Sequence, residues 1–94
     1  MSPIQHYEKK AVVLNRLGLH ARPATRFAQT AANFQSQIWL AKNGKEVDGK
    51  SILEILTIAS PSGTELTVKA EGPDAREAVE ALCQLINSRF GELD

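Results

Sequence analysis

The sequence predicts an α+β fold. It is an open-faced β-sandwich, a four-stranded antiparallel sheet with three helices on one face, in the order βαββαβα. Three observations lead there. Apolar residues alternate at Ile38 and Leu40 and at Leu66, Val68 and Ala70, the two-residue period of half-buried strands. They recur at Ala24, Phe27, Ala28 and Ala31, and again at Val79, Leu82, Cys83 and Ile86, the spacing of one helical face. Between two strand-like runs stands Asn43-Gly44, a two-residue hairpin signal because both positions tolerate positive φ.

Residues 1–6 carry no pattern and are expected to be a loose end, with His6 a bystander in it. Lys10 to Leu14, rich in Val and preceded by charge, reads as the first strand. Asn15 to Leu19 is a loop punctuated by Gly18, and a helix follows from Ala21 to about Ala32. Pro23 suits its first turn, where a missing N–H leaves nothing unpaired. Gln37 to Lys42 is the second strand, with Ile38 and Leu40 on one face and Trp39 and Ala41 on the other; Lys45 to Asp48 returns beside it. Ser51-Ile52-Leu53-Glu54 has the form of a capping box opening a short helix to about Ile58. Ser60-Pro61-Ser62-Gly63 is a turn before the strand of Leu66, Val68 and Ala70. Gly72-Pro73-Asp74 then breaks the chain, Asp74 and Glu77 form a second cap-like pair, and the last helix runs to about Arg89 with Phe90 on its stripe.

Residues 1–94 read as a single domain, without linkers or repeats. At 43% hydrophobic residues the chain can bury a core. Lys+Arg and Asp+Glu both number 11, so the net charge of zero weighs against a nucleic-acid partner. A lone cysteine, Cys83, excludes an internal disulfide and fits a small buried apolar residue on a helix. No metal site or cofactor is expected. No apolar run has membrane or signal-peptide length, so no membrane insertion is expected and the expected location is cytoplasmic.

The chemistry concentrates in Gly18-Leu19-His20-Ala21-Arg22-Pro23-Ala24. It sets a histidine where a loop gives way to a helix. Unpaired N–H groups at a helix start point at any anion the histidine carries. The same helix end disfavours a nearby positive charge, which favours a neutral imidazole with a ring nitrogen free to attack phosphorus. Arg22 can pair bidentately with phosphate oxygens. As a plain surface cation it would be misplaced beside the positive end of a helix dipole, which argues for a functional cause.

This heptapeptide resembles the active-site segment of the histidine-containing phosphocarrier proteins, the HPr family of the bacterial phosphoenolpyruvate-dependent phosphotransferase system. The likeness runs from about Lys10 to Phe90. It implies a non-enzymatic relay protein in which His20 accepts a phosphoryl group on Nδ1 from Enzyme I. The group then passes to a downstream acceptor, an Enzyme II A component. It implies Arg22 as the phosphate-stabilising neighbour and a monomer as the working form. It also marks Ser51, within Gly49-Lys50-Ser51-Ile52-Leu53, as the position where a serine kinase regulates many members; the residue-level alternative is a plain N-cap. The short helix is richer in apolar residues than one buried stripe requires, so Ile55 and Ile58 are assigned to the core. Ile52, Leu53 and Leu56 are left to face outward, and the resemblance implies that this patch, with Ala21 and Arg22, is where partner enzymes dock. The ending from Ile86 to Gly91 is similar to the nitrogen-related branch of the family and Ser51-Ile52 to the sugar branch, so both branches stand open. A regulatory paralogue without relay activity has no need of His20. A nucleic-acid module would need basic surface and more sheet aromatics than Trp39.

Overall fold

The computed structural model describes residues 4–92, which fold as β1 (Gln5–Val12), α1 (Ala21–Ala31), β2 (Gln37–Lys42), β3 (Lys45–Asp48), α2 (Ile52–Leu56), β4 (Glu65–Gly72) and α3 (Ala75–Asn87). The strands form one antiparallel sheet in the order β1-β4-β2-β3. Alternation sends Ile38, Leu40, Val47, Leu66, Val68 and Ala70 to the helix side, where they are buried. The opposite face carries Glu8, Lys10, Glu46, Thr67 and Lys69 and is open to water. Phe27 on α1 and Leu82 and Ile86 on α3 complete the core with no exposed surface. Truncating such a residue costs about 3–5 kcal/mol, for the lost transfer energy and the cavity together.

Several boundaries differ from the sequence reading. β1 starts at Gln5, so only residues 1–3 of the expected loose end lie outside the described residues. Most of β1 is exposed, which hides its alternation, and its pairing with β4 from Gln5↔Gly72 to Val12↔Glu65 makes it a strand. His6 therefore sits in the sheet, with Nδ1 3.4 Å from the Glu71 carboxylate. At the other end the strand stops at Val12, two residues before Leu14. α2 ends at Leu56, earlier than Ile58, because Thr57 turns its hydroxyl back to the Glu54 carbonyl (2.6 Å). Ala41 lies on the outer face, as its alternation with Leu40 predicts, paired with Glu46 and Thr67 and covered by its neighbours there.

The capping box is half formed. Ser51 Oγ accepts from the Glu54 N–H (3.2 Å), but the Glu54 carboxylate accepts from the Asp48 N–H (3.1 Å) and not from Ser51. Asp74 is the N-cap residue of α3, but its side chain makes no cap bond there. Its carboxylate accepts from the N–H groups of Gln35 and Ser36 (both 2.9 Å) and from the Ser36 hydroxyl, clamping the α1–β2 turn to the start of α3. The Ser36 hydroxyl first, then these backbone donors, hold the Asp74 carboxyl below its ordinary value. α3 ends at Asn87, short of Arg89. Arg89 (φ 60°) and Phe90 (φ 56°) then take left-handed conformations ahead of Gly91 (φ 75°). Phe90 is wholly buried, reached by this turn and not as a further residue of the helical stripe. Two non-glycine residues in that region each cost on the order of 1 kcal/mol, offset here by the buried ring.

Candidate functional site

The loop between β1 and α1 is locked before the site begins. Gly18 N–H donates to the Asn15 carbonyl (3.0 Å), Leu19 N–H to Ser60 O (2.9 Å) and His20 N–H to Gly18 O (3.1 Å). Asn15 is wholly buried, and its side-chain N–H2 donates to Gly18 O and to Glu92 Oε1 (3.0 Å). His20 is the N-cap of α1, in extended backbone, and its imidazole caps nothing.

The first intrahelical bond is made by Ala24 N–H to the His20 carbonyl (2.9 Å). Pro23 has no N–H, so the amides of Ala21 and Arg22 are the donors that the helix start leaves over. The first turn holds no acidic side chain to compete with an incoming anion. Arg22 is exposed, and an open cleft beside the imidazole is lined by Leu17, Ala21, Arg22, Arg26, Gly91 and Glu92. Neutral donors and guanidinium groups around one ring suit an anion attached to that ring.

The His20 side chain is about one-third exposed (37%), yet its Nε2 atom is covered by protein. The group covering it is Glu92, whose Oε2 lies 3.3 Å away on a side chain only 18% exposed. Nε2 is at ion-pair distance from Oε2 but is not aligned for a hydrogen bond.

Ser51 is half-buried at the start of α2, and α2 packs against α1. Ile55 and Ile58 face the core, whereas Ile52 (38%), Leu53 (80%) and Leu56 (41%) are exposed, as is Ala21. Leu17, 68% exposed beside His20, extends the apolar surface and was not singled out from the sequence. Asn15, Arg26 and Glu92 were also missed. The one signal available for Glu92 was Gly91 just before it, a residue free to turn the chain back. Cys83 is buried, and burial pushes its thiol up, so it is held protonated and inert. Among the described residues no three His, Cys, Asp or Glu side chains gather to hold a metal, and no helix is long and apolar enough to cross a membrane.

Comparison with known proteins places these features in a family. The model of the phosphotransferase-system HPr component phosphorylation site matches residues 7–88. The phosphocarrier protein HPr of Cupriavidus necator is 42% identical over 85 residues, which covers 90% of this chain and 96% of that protein. The phosphocarrier protein HPr of Neisseria meningitidis serogroup A is 45% identical over 80 residues, 85% of this chain and 90% of its own. Among solved structures, HPr-C-His from Thermoanaerobacter tengcongensis superposes with a TM-score of 0.87 at 46% identity, covering 92% of this chain and 97% of that one.

Proposed function

The chain belongs to the HPr family of phosphocarrier proteins and serves in the phosphoryl relay of the phosphotransferase system, as a relay protein and not a catalyst; from that premise we propose that His20 is the residue that carries the phosphoryl group. The observation that supports this is the place of His20: the uncapped start of α1, with the Ala21 and Arg22 amides left over and the Arg22 guanidinium beside it. In the transfer, the Nδ1 lone pair of His20 attacks phosphorus and the bond to the donor breaks. The electron pair stays on the donor, and the proton on Nε2 is not displaced. The α1 amides and Arg22 hold the phosphoryl oxygens as charge accumulates on them.

The donor in this reading is phosphorylated Enzyme I and the acceptor an Enzyme II A component, met through Ala21, Ile52, Leu53 and Leu56. The single domain of residues 1–94 works as a monomer in the cytoplasm. Ser51 is a regulatory position for a serine kinase. In support, its hydroxyl lies beside exposed Ile52 and Leu53, and the Glu54 carboxylate is drawn away to Asp48, which lessens repulsion of an added phosphate.

The test is His20→Ala with phosphoenolpyruvate and Enzyme I. The variant is expected to fold like the parent and to take up no acid-labile phosphoryl group. Undiminished uptake would overturn the assignment of His20.

A further inference from the structure

Nothing in the relay reading calls for a carboxylate beside the imidazole, because an acid so close to a phosphoryl group would repel it. Glu92 nevertheless closes over Nε2 at 3.3 Å, mostly buried, and its other oxygen is held by the wholly buried Asn15. The orientation of that amide is settled by its partners. Its N–H2 faces two acceptors, Gly18 O and Glu92 Oε1, and the flipped amide would set oxygen against both. The chain also spends two left-handed non-glycine residues, Arg89 and Phe90, in turning back to bring Glu92 to this place. Strain of that kind persists where the surroundings hold it and gathers at functional positions. Here Phe90 is buried, and its carbonyl accepts from the Arg26 guanidinium.

We propose that Glu92 is a positioning residue for the relay: its Oε2 accepts the Nε2–H of His20 and so fixes the tautomer that leaves Nδ1 bare. This rests on the reading of His20 as the phosphoacceptor and deepens it. Asn15 fixes Glu92, and Glu92 fixes the ring with Nε2 on the covered side, leaving Nδ1 as the nitrogen free to react. When the Nδ1 lone pair bonds to phosphorus, the ring takes on positive charge at the end of a helix that disfavours it. The Glu92 carboxylate offsets that charge across the retained Nε2–H. When the N–P bond breaks in the next transfer, the electron pair returns to Nδ1 and the neutral Nε2–H ring is restored. A carboxylate behind a reacting imidazole does the same two things in hydrolytic triads, where replacing it by its amide imposes the wrong tautomer.

Glu92→Gln tests this sharply because Asn15 still donates to the amide oxygen. The amide N–H2 then faces Nε2 and donates to it, driving the proton to Nδ1. Ring 15N NMR of the neutral imidazole, in parent and variant, reads the tautomer directly. Phosphoryl uptake from Enzyme I is timed on the same samples. The parent is expected to show Nε2–H, and Glu92→Gln to shift toward Nδ1–H with uptake slowed at least about tenfold at an unchanged melting temperature. Glu92→Asp, which keeps the carboxylate, is expected to retain the parental tautomer and part of the rate. An Nδ1–H tautomer in the parent itself, or a Glu92→Gln variant with parental tautomer and rate, would overturn the role of Glu92. The two readings fail separately. If the parent takes up no phosphoryl group on His20, the relay assignment falls; if the parent does and Glu92→Gln matches it, only Glu92 is wrong.

Discussion

Gly18 faces the Ser60 carbonyl so closely that a Cβ built on it would stand 2.4 Å from that oxygen and 2.8 Å from the Pro61 Cα. Both obstacles are backbone, held by the Leu19 N–H to Ser60 O bond, and neither can step aside cheaply. Gly18 also has φ +73°. Gly18→Ala is therefore expected to lose roughly 2–5 kcal/mol, the sum of left-handed strain and overpacking. Gly63→Ala, at φ +94° with nothing within 4 Å, meets the strain alone and should lose only about 1–2 kcal/mol. Urea unfolding of both variants gives the comparison. Equal losses would mean that the close approach to Ser60 plays no part.

Arg22 separates electrostatics from fold. It is exposed, and no hydrogen bond or ion pair of its side chain is found among the described residues. Arg22→Glu should leave stability within about 0.5 kcal/mol, as surface changes do. Phosphoryl uptake should slow by about 10²–10³-fold, the usual cost of losing a donor aimed at developing negative charge. Lysine should fall between, because a point charge loses the bidentate geometry. Uptake by Arg22→Glu at the parental rate would reduce the arginine to a solvated cation.

Ser51 tells a cap from a switch. Its Oγ accepts from Glu54 N–H, so Ser51→Ala should cost about 1 kcal/mol and leave transfer nearly intact. Ser51→Asp keeps an acceptor at the cap and puts negative charge beside Ile52 and Leu53, so it should fold as well as the parent yet relay poorly. Relay rates measured side by side decide the matter, and equal rates for Ala and Asp leave Ser51 a cap.

Asp74 gives the fold an acid-sensitive clamp. Its carboxyl lies below the ordinary 3.8 because Ser36 and the Gln35 and Ser36 amides bind the ionised form. A depressed folded value means stability that is fully present above the unfolded value and is lost as pH falls through the folded one. Asp74→Asn should thus be less stable than the parent at neutral pH, and the gap should narrow as pH falls below 3.8 and through the lowered folded value. Urea midpoints across that acid range measure it. A gap independent of pH would show that the charge of Asp74 contributes nothing.

Much of this protein is written locally. The alternation of Leu66, Val68 and Ala70, the Asn43-Gly44 turn, the Ser51 cap and the setting of His20 and Arg22 at a helix start each depend on residues within a few positions of one another. Sequence reading reached them for that reason. What it missed depends on distant partners. Gln5 to Lys9 form a strand because β4 pairs with them, although the edge position leaves them exposed and masks the alternation. Asp74, three residues before Glu77, has the spacing of a helix cap, but its carboxylate finds stronger donors at Gln35 and Ser36, across the fold. Glu92 reaches His20 only because burial of Phe90 drives Arg89 and Phe90 into conformations that their own residue types disfavour. Local propensity set His20 and Arg22 at the start of a helix; which carboxylate stands beside the imidazole was decided by packing, whose free energy outweighs the left-handed backbone needed to put it there.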